Sequence, residues 1–311
     1  MSAIPESDAS RIGSSSQSVA SVIGAALETM RPYQWLKNLL VFLPLVAAHR
    51  LGERDLLGDA AYAFVAFSMC ASSIYVFNDL HDAPADRLHP HKRHRPIAAG
   101  RLPRSIATVL VPALLAGAIA ACLPLGPRVG AILTSYVALM FAYSLKLKMI
   151  ALLDVLVLAA GYALRVIAGA VAVDIHPSAP LLTFCVLVFL SLALVKRYAE
   201  LALLGVRDGP AANARAYRVD DQEVILALGS GSGILAALVL TQYMGTSPHE
   251  HPYSHPELIG ITFVLLLYWI SHMWLTAHRG RMTDDPLVFA IKDRVSQVLI
   301  VLMGMVAWFA V

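Results

Sequence analysis

The chain has 311 residues, 58% of them hydrophobic and only 14% charged, with a mean hydropathy of +0.66 and a formal net charge of +3. Soluble domains carry about 25% charged residues, so this composition excludes an ordinary globular protein and indicates an all-α, polytopic membrane protein. The three cysteines, Cys70, Cys122 and Cys185, fall inside apolar runs, which excludes a disulfide framework or a paired-cysteine metal site.

In chain order, residues 1–29 are rich in Ser and Ala and read as a mobile cytoplasmic tail. The run SVIGAAL is too short for the apolar region of a signal peptide, and no small-residue cleavage site follows it. The membrane domain is expected over 30–311. Nine apolar segments in it, roughly 34–50, 56–79, 104–123, 128–146, 150–173, 180–203, 223–244, 257–277 and 287–310, can cross or nearly cross hydrocarbon about 30 Å thick. Backbone polar groups in lipid must bond within their own segment, so each is expected to be a helix. The first is short and interrupted by Pro44.

The cations are one-sided. Twenty Lys and Arg fall on the N-terminal side and in alternate loops, whereas the other side holds only Arg50, Arg54 and Arg128. The positive-inside rule then puts the N-terminus and the polar clusters in the cytosol and the C-terminus outside, so any polar cavity should face the cytoplasm; the expected location is the plasma membrane. The His-rich run HEHPYSHPE belongs to an outside loop. No Walker-type phosphate loop, dinucleotide fingerprint or nucleic-acid module is present.

The end of the second segment reads NDLHDAPADRLHPHKRHRPIAAG, residues 78–100. Asn78, Asp82 and Asp86 are spaced i, i+4, i+8, and Asp79, Asp82 and Asp86 make a similar stripe. Pro84 is expected to bend or end the helix here. Converging carboxylates repel unless a cation compensates them, and hard oxygen ligands suit Mg²⁺ held jointly by substrate phosphates. The basic half that follows, with Arg87, Lys92 and Arg95, suits either an anchor on anionic lipid or a phosphate clamp. His89, His91 and His94 lack metal-ligand spacing.

Arg165 lies within the apolar run GYALRVIAGA, flanked at i−4 and i+4 by Gly161 and Gly169, with Asp154 three turns earlier on the same face. A charge that deep needs a polar cavity or a partner; phosphate binding and pairing with Asp154 are the two readings. Lys37 and Asn38 open the first segment, Tyr143 and Lys146 close the fourth, and Lys196, Arg197 and Tyr198 follow the sixth. Each can be an interfacial anchor or a phosphate contact.

The stretch NDLHDAPADR resembles the NDxxDxxxD motif of the UbiA superfamily of intramembrane prenyltransferases. That resemblance implies a nine-helix bundle whose cavity holds a Mg²⁺-bound diphosphate. Most members carry a second aspartate-rich motif after the sixth span, where this chain has VKRYAELALLGVRDG. Together with RPYQWLKNLLVFLPL, YSLKLK, GYALRVIAGAVA, KRYAEL and IKDRVSQ, this resembles the decaprenyl-phosphate phosphoribosyltransferase branch over about residues 30–300. The branch implies transfer of 5-phosphoribose from phosphoribosyl pyrophosphate (PRPP) to a polyprenyl phosphate, a step toward lipid-linked arabinofuranose, with a separate phosphatase acting afterwards. It further implies Asn78, Asp79, Asp82 and Asp86 as metal ligands, with the three aspartates as the catalytic set. Lys37, Asn38, Arg87, Lys92, Arg95, Tyr143, Lys146, Arg165, Lys196, Arg197 and Tyr198 become substrate contacts. The alternative is an aromatic prenyltransferase using a polyprenyl diphosphate, which the missing second acidic motif disfavours.

Overall fold

The computed structural model describes residues 18–90, 92–176, 178–205, 217–245, 255, 258–282 and 285–310. Among them regular structure is helical throughout. The main elements are α1 (Val19–Met30), a 3-10 helix over Pro32–Phe42, α2 (Leu43–Ala47), α3 (Arg54–Leu88), α4 (Arg104–Cys122), α5 (Gly126–Leu145) and α6 (Leu153–Ala172). These are followed by α7 (Ala179–Gly205), α8 (Gln222–Gly245), α9 (Ile259–His278), α10 (Pro286–Lys292) and α11 (Arg294–Ala310).

Helix covers each apolar segment expected from the sequence, but only six stretches among the described residues are long and apolar enough to span a bilayer: Arg54–Leu88, Arg104–Leu145, Leu153–Ala172, Ala179–Ala202, Val219–Tyr243 and Gly260–His278. The chain is therefore a multi-pass membrane protein. The departures from nine have local causes. Arg104–Leu145 is 42 residues long, but Pro124 and the left-handed Gly126 (φ 81) separate α4 from α5. The first segment is wound as a 3-10 helix of 11 residues, each rising about 2.0 Å rather than 1.5 Å, so fewer residues cover a given depth. In the last segment Asp293 is extended (φ −79, ψ 123) and leaves α11 with 17 residues.

Two further expectations are corrected. Val19–Met30, assigned above to a mobile tail, is the helix α1, capped by Ser18, whose side chain accepts from the Ser21 amide. Its Ala25 is buried in a cluster with Val76, Ala83, Ile97 and Leu114 of the α3–α4 region, which gives the segment the tertiary support a short helix needs. Residues 1–17 and the loop HEHPYSHPE, apart from His255, lie outside the described residues. Pro84 does not end its helix, since α3 runs through it to Leu88. The missing amide costs one backbone bond, but the neighbouring Ala83 and Asp86 are buried against the bundle.

Two apolar cores hold the helices. Phe67, Cys70, Tyr136, Met140 and Val157 fill the α3–α6 half. Val155, Phe189, Leu194, Trp269, Met273 and Trp274 fill the α6–α9 half. Large apolar side chains also point outward on the spans, including Val109 (67% exposed), Ile119 (61%) and Val264 (61%), as helices solvated by lipid require. The 3-10 helix packs between α3 and α6. A Cβ on Gly169 would run into the Val41 carbonyl, so this approach depends on glycine.

Candidate functional site

The apolar run of α3 fixes which of its polar residues turn inward. Asp79 and Asp86 are seven residues apart, hence on one face, and both are 3% exposed. Arg95, from the loop after α3, places Nη1 2.7 Å from Asp86 Oδ2 and 3.3 Å from Asp79 Oδ1. Arg31 donates from Nη2 to Asp79 Oδ1 at 2.7 Å. Two carboxylates thus converge on shared cations. Asp82, the middle residue of the expected stripe, is half-buried and points elsewhere, 3.7 Å from Lys148 Nζ. Asn78 is half-buried, about 100° around the helix from the Asp79 face.

Arg31 joins this pair to a polar cavity of about 370 Å³ lined by Arg31, Gln34, Lys37, Tyr75, Lys196, Glu200 and Asp285, among others. Arg31 caps α1 in a left-handed conformation (φ 53, ψ 61), and its guanidinium lies 5.1 Å from the centre of the Tyr75 ring. A non-glycine residue in that conformation stores strain, here at the residue that reaches Asp79. Across the cavity Asp285 Oδ2 accepts from Lys37 Nζ at 2.8 Å and from Lys196 Nζ at 3.3 Å. Its Oδ1 accepts from the Leu287 amide and caps α10. Burial alone would push the Asp285 carboxyl up, but Lys37 and Lys196 outweigh it and hold it below its ordinary value. A second, apolar groove of about 210 Å³, lined by Leu36, Leu39, Leu40, Leu43 and Leu287, shares Tyr33, Lys37 and Val288 with the polar cavity.

Five expected substrate contacts, Asn38, Tyr143, Arg165, Arg197 and Tyr198, bond to protein partners. Arg165 donates from Nε to Asn38 Oδ1, from Nη1 to the Gly161 carbonyl and from Nη2 to Tyr136 Oη, each at 2.7 Å. It does not line the cavity, and its partner is not Asp154. Arg197 takes Asp154, with Nε 2.7 Å from Oδ2 and side chains 2% and 0% exposed; it also pairs with Glu200 and reaches Tyr143 Oη at 3.4 Å. Tyr217 completes that cluster, its hydroxyl donating to Asp154 and accepting from the Leu152 amide. Tyr198 is buried against Trp274, with Oη 2.8 Å from His278 Nδ1.

The outer basic residues are looser. Arg87 donates to the Ala98 carbonyl at 3.3 Å, Lys92 is exposed in a short 3-10 turn, and Lys146 is exposed at the end of α5. Of the expected residues, the structure gathers Lys37 and Lys196 at the cavity and Asp79, Asp86 and Arg95 behind Arg31. Arg31, Tyr75 and Asp285 went unrecognised in the sequence. The pair Asp285–Pro286, a helix cap followed by proline, was the one available signal for Asp285.

Among the described residues no three His, Cys, Asp or Glu side chains form a metal cage. The donors still fit a magnesium ion. Mg²⁺ is commonly held by one or two carboxylates plus substrate phosphates, and Asp79 and Asp86 already converge on one cationic nitrogen of Arg95.

Comparison with known proteins agrees with this architecture. The pattern of the UbiA prenyltransferase family matches residues 38–219. The chain is 36% identical over 274 residues to nodulation protein NoeC of Azorhizobium caulinodans, covering 88% of this chain and 89% of that one. It is 31% identical over 304 residues to decaprenyl-phosphate phosphoribosyltransferase of Mycobacterium tuberculosis, covering 94% and 95%. It spans about half (52%) of the uncharacterized protein y4nM of Sinorhizobium fredii, at 33% identity. A UbiA homolog from Archaeoglobus fulgidus bound to GPP and Mg²⁺ superposes with a TM-score of 0.68 over 92% of this chain and 100% of that one, at 16% identity. The cavity, the acidic face of α3 and these likenesses together establish that the chain belongs to the UbiA prenyltransferase family.

Proposed function

We propose that this transferase moves the 5-phosphoribosyl group of PRPP to a polyprenyl phosphate and releases pyrophosphate. The observation that carries the reading is the division of charge at the cavity. Two carboxylates stand behind Arg31 at one end, and at the other stand Lys37 and Lys196, the latter from the VKRYAEL segment that has no second acidic motif. The likeness to a decaprenyl-phosphate phosphoribosyltransferase over nearly the whole of both chains supports it. A donor with a diphosphate at C1 and a phosphate at C5 needs a metal-binding end and a separate, metal-free cationic contact.

In this scheme Asp79 and Asp86 hold Mg²⁺, which when bound neutralises the charge gathering on the pyrophosphate. Arg31 and Arg95 exchange the two carboxylates for phosphate oxygens. Lys37 and Lys196 receive a second phosphate, and the apolar groove beside Lys37 takes the first isoprene units of the acceptor. The C1–O bond to pyrophosphate breaks as an oxygen of the lipid phosphate bonds to C1. The nucleophile is already an anion, so no general base is required. The product keeps its 5-phosphate, and a separate phosphatase must remove it. The site opens to the cytosol, where PRPP is found, in keeping with the one-sided cations.

Membranes containing the protein, given labelled PRPP and polyprenyl phosphate, should yield a lipid-extractable labelled product. Labelled polyprenyl diphosphate with 4-hydroxybenzoate should yield none. Label in the aromatic product instead would make the chain an aromatic prenyltransferase.

A further inference from the structure

Lys37 and Lys196 come from the 3-10 helix and from α7, and both line the polar cavity. The bond from Lys37 to Asp285 links residues 248 apart in sequence. Two ammonium groups held beside one another repel unless an anion sits between them. One oxygen, Asp285 Oδ2, does so, at 2.8 Å from one nitrogen and 3.3 Å from the other. Its partner Oδ1 is occupied with the backbone of α10. The carboxylate is therefore a single monodentate oxygen spanning two cations, each with further donors. A phosphate, with more oxygens and more charge, satisfies such a pair better. Yet it cannot share the seat with Asp285, because like charges at that range repel. The short helix α10, which Asp285 caps, also lines the apolar groove through Leu287, Val288 and Ile291.

We propose that Lys37 and Lys196 form the seat of a ligand phosphate, and that Asp285 occupies this seat as an internal anion until the ligand displaces it. The identity of the phosphate-bearing ligand rests on the reading above; the displacement rests on the geometry alone. Asp285 then lowers the apparent affinity for the phosphate by the fraction of molecules in which it holds the seat. Because Asp285 is the N-cap of α10, its release also removes the ion-pair tether between that helix, which lines the apolar groove, and the two lysines.

The test uses the full-length protein in detergent with EDTA, so that Asp79 and Asp86 contribute no metal-bound site. Calorimetry measures the binding of inorganic pyrophosphate. Asp285→Asn keeps a capping oxygen for the Leu287 amide but removes the competing charge, and it should bind pyrophosphate at least five-fold more tightly than the wild type. Adding Lys196→Met to that variant should erase the gain. Unchanged or weaker binding by Asp285→Asn overturns the proposal, since a carboxylate that merely arranges the lysines would be missed. A second measurement needs no variant: a zero-length amide-coupling reagent should join Asp285 to Lys37 or Lys196 in the free wild-type protein, and pyrophosphate should suppress that link. Persistence of the link at saturating pyrophosphate also overturns it. A negative phosphoribosyl-transfer assay alongside tighter binding by Asp285→Asn would remove the enzymatic reading and leave the displaceable anion standing.

Discussion

Asn38 and Arg165, 127 residues apart, meet in the protein interior, where Arg165 Nε donates to Asn38 Oδ1 at 2.7 Å. Asn38 is fully buried and passes the connection on, donating to Ser68 Oγ at 3.0 Å. The bond fastens the 3-10 helix that carries Lys37 to α6. A lysine cannot reach Asn38, Gly161 and Tyr136 together, so Arg165→Lys should lose about 2 kcal/mol or more, bonds to a charged group being worth about 1.5–3 kcal/mol each. Thermal unfolding in detergent should show the loss, and transferase activity should fall through a raised KM. Unchanged unfolding with abolished turnover would instead put Arg165 in contact with substrate.

Gly169 makes a prediction of opposite sign to helix propensity. Glycine to alanine inside an exposed helix gains about 1 kcal/mol. At Gly169 the new Cβ meets the backbone of Val41, so Gly169→Ala should displace the 3-10 helix and lower the melting temperature. A rise would show that the segment can move aside freely.

The Arg197–Asp154 pair is almost completely buried. Removing one member leaves an uncompensated charge, which costs about 3–5 kcal/mol. Arg197→Ala should therefore fail to accumulate or unfold early, while Arg197→Gln combined with Asp154→Asn should recover most of the stability. Equal instability of the single and double variants would argue that the pair contributes something other than mutual neutralisation.

Asp79→Asn and Asp86→Asn should each lower turnover by about 10²-fold or more, the scale seen when one group stabilising transition-state charge is removed. Chelation should abolish turnover in the wild type and leave thermal unfolding nearly unchanged, because Arg31 and Arg95 neutralise the carboxylates without metal. Robust activity in excess EDTA would exclude the metal scheme.

The pH dependence of the Asp285 bridge follows from its depressed carboxyl. A group whose value is lowered on folding contributes fully above its unfolded value and loses that contribution as pH falls through the folded one. The stability difference between wild type and Asp285→Asn should therefore stay flat from about pH 8 to pH 5 and shrink only below about pH 4, near and beneath the ordinary carboxylate range. Melting curves at stepped pH would check this; a change centred near pH 6 would implicate a different group.

The helical framework was legible because lipid leaves an apolar segment few alternatives, and the depth of Arg165 marked it as buried. Its partner was not legible. Asp154 lies on the right face at the right spacing, but α7 brings Arg197 to it and leaves Arg165 to Asn38 and Tyr136. The acidic face of α3 could be read from spacing, although Asp82 falls between the inward positions and meets Lys148 instead. Asp285 and Arg31 were not read, because an isolated charge in a loop acquires meaning only when folding carries it to Lys37 or to Asp79. The continuous helix through Pro84 was misjudged because burial of the surrounding turn overrode a local penalty.

Arg31 ends α1 and also neutralises Asp79. Whatever takes its place on that carboxylate also releases a side-chain tie between the end of the N-terminal helix and α3. A ligand that displaces Arg31 from Asp79 would act on the residue that ends α1, so a fluorophore attached near Ser18 should change its signal when the cavity fills.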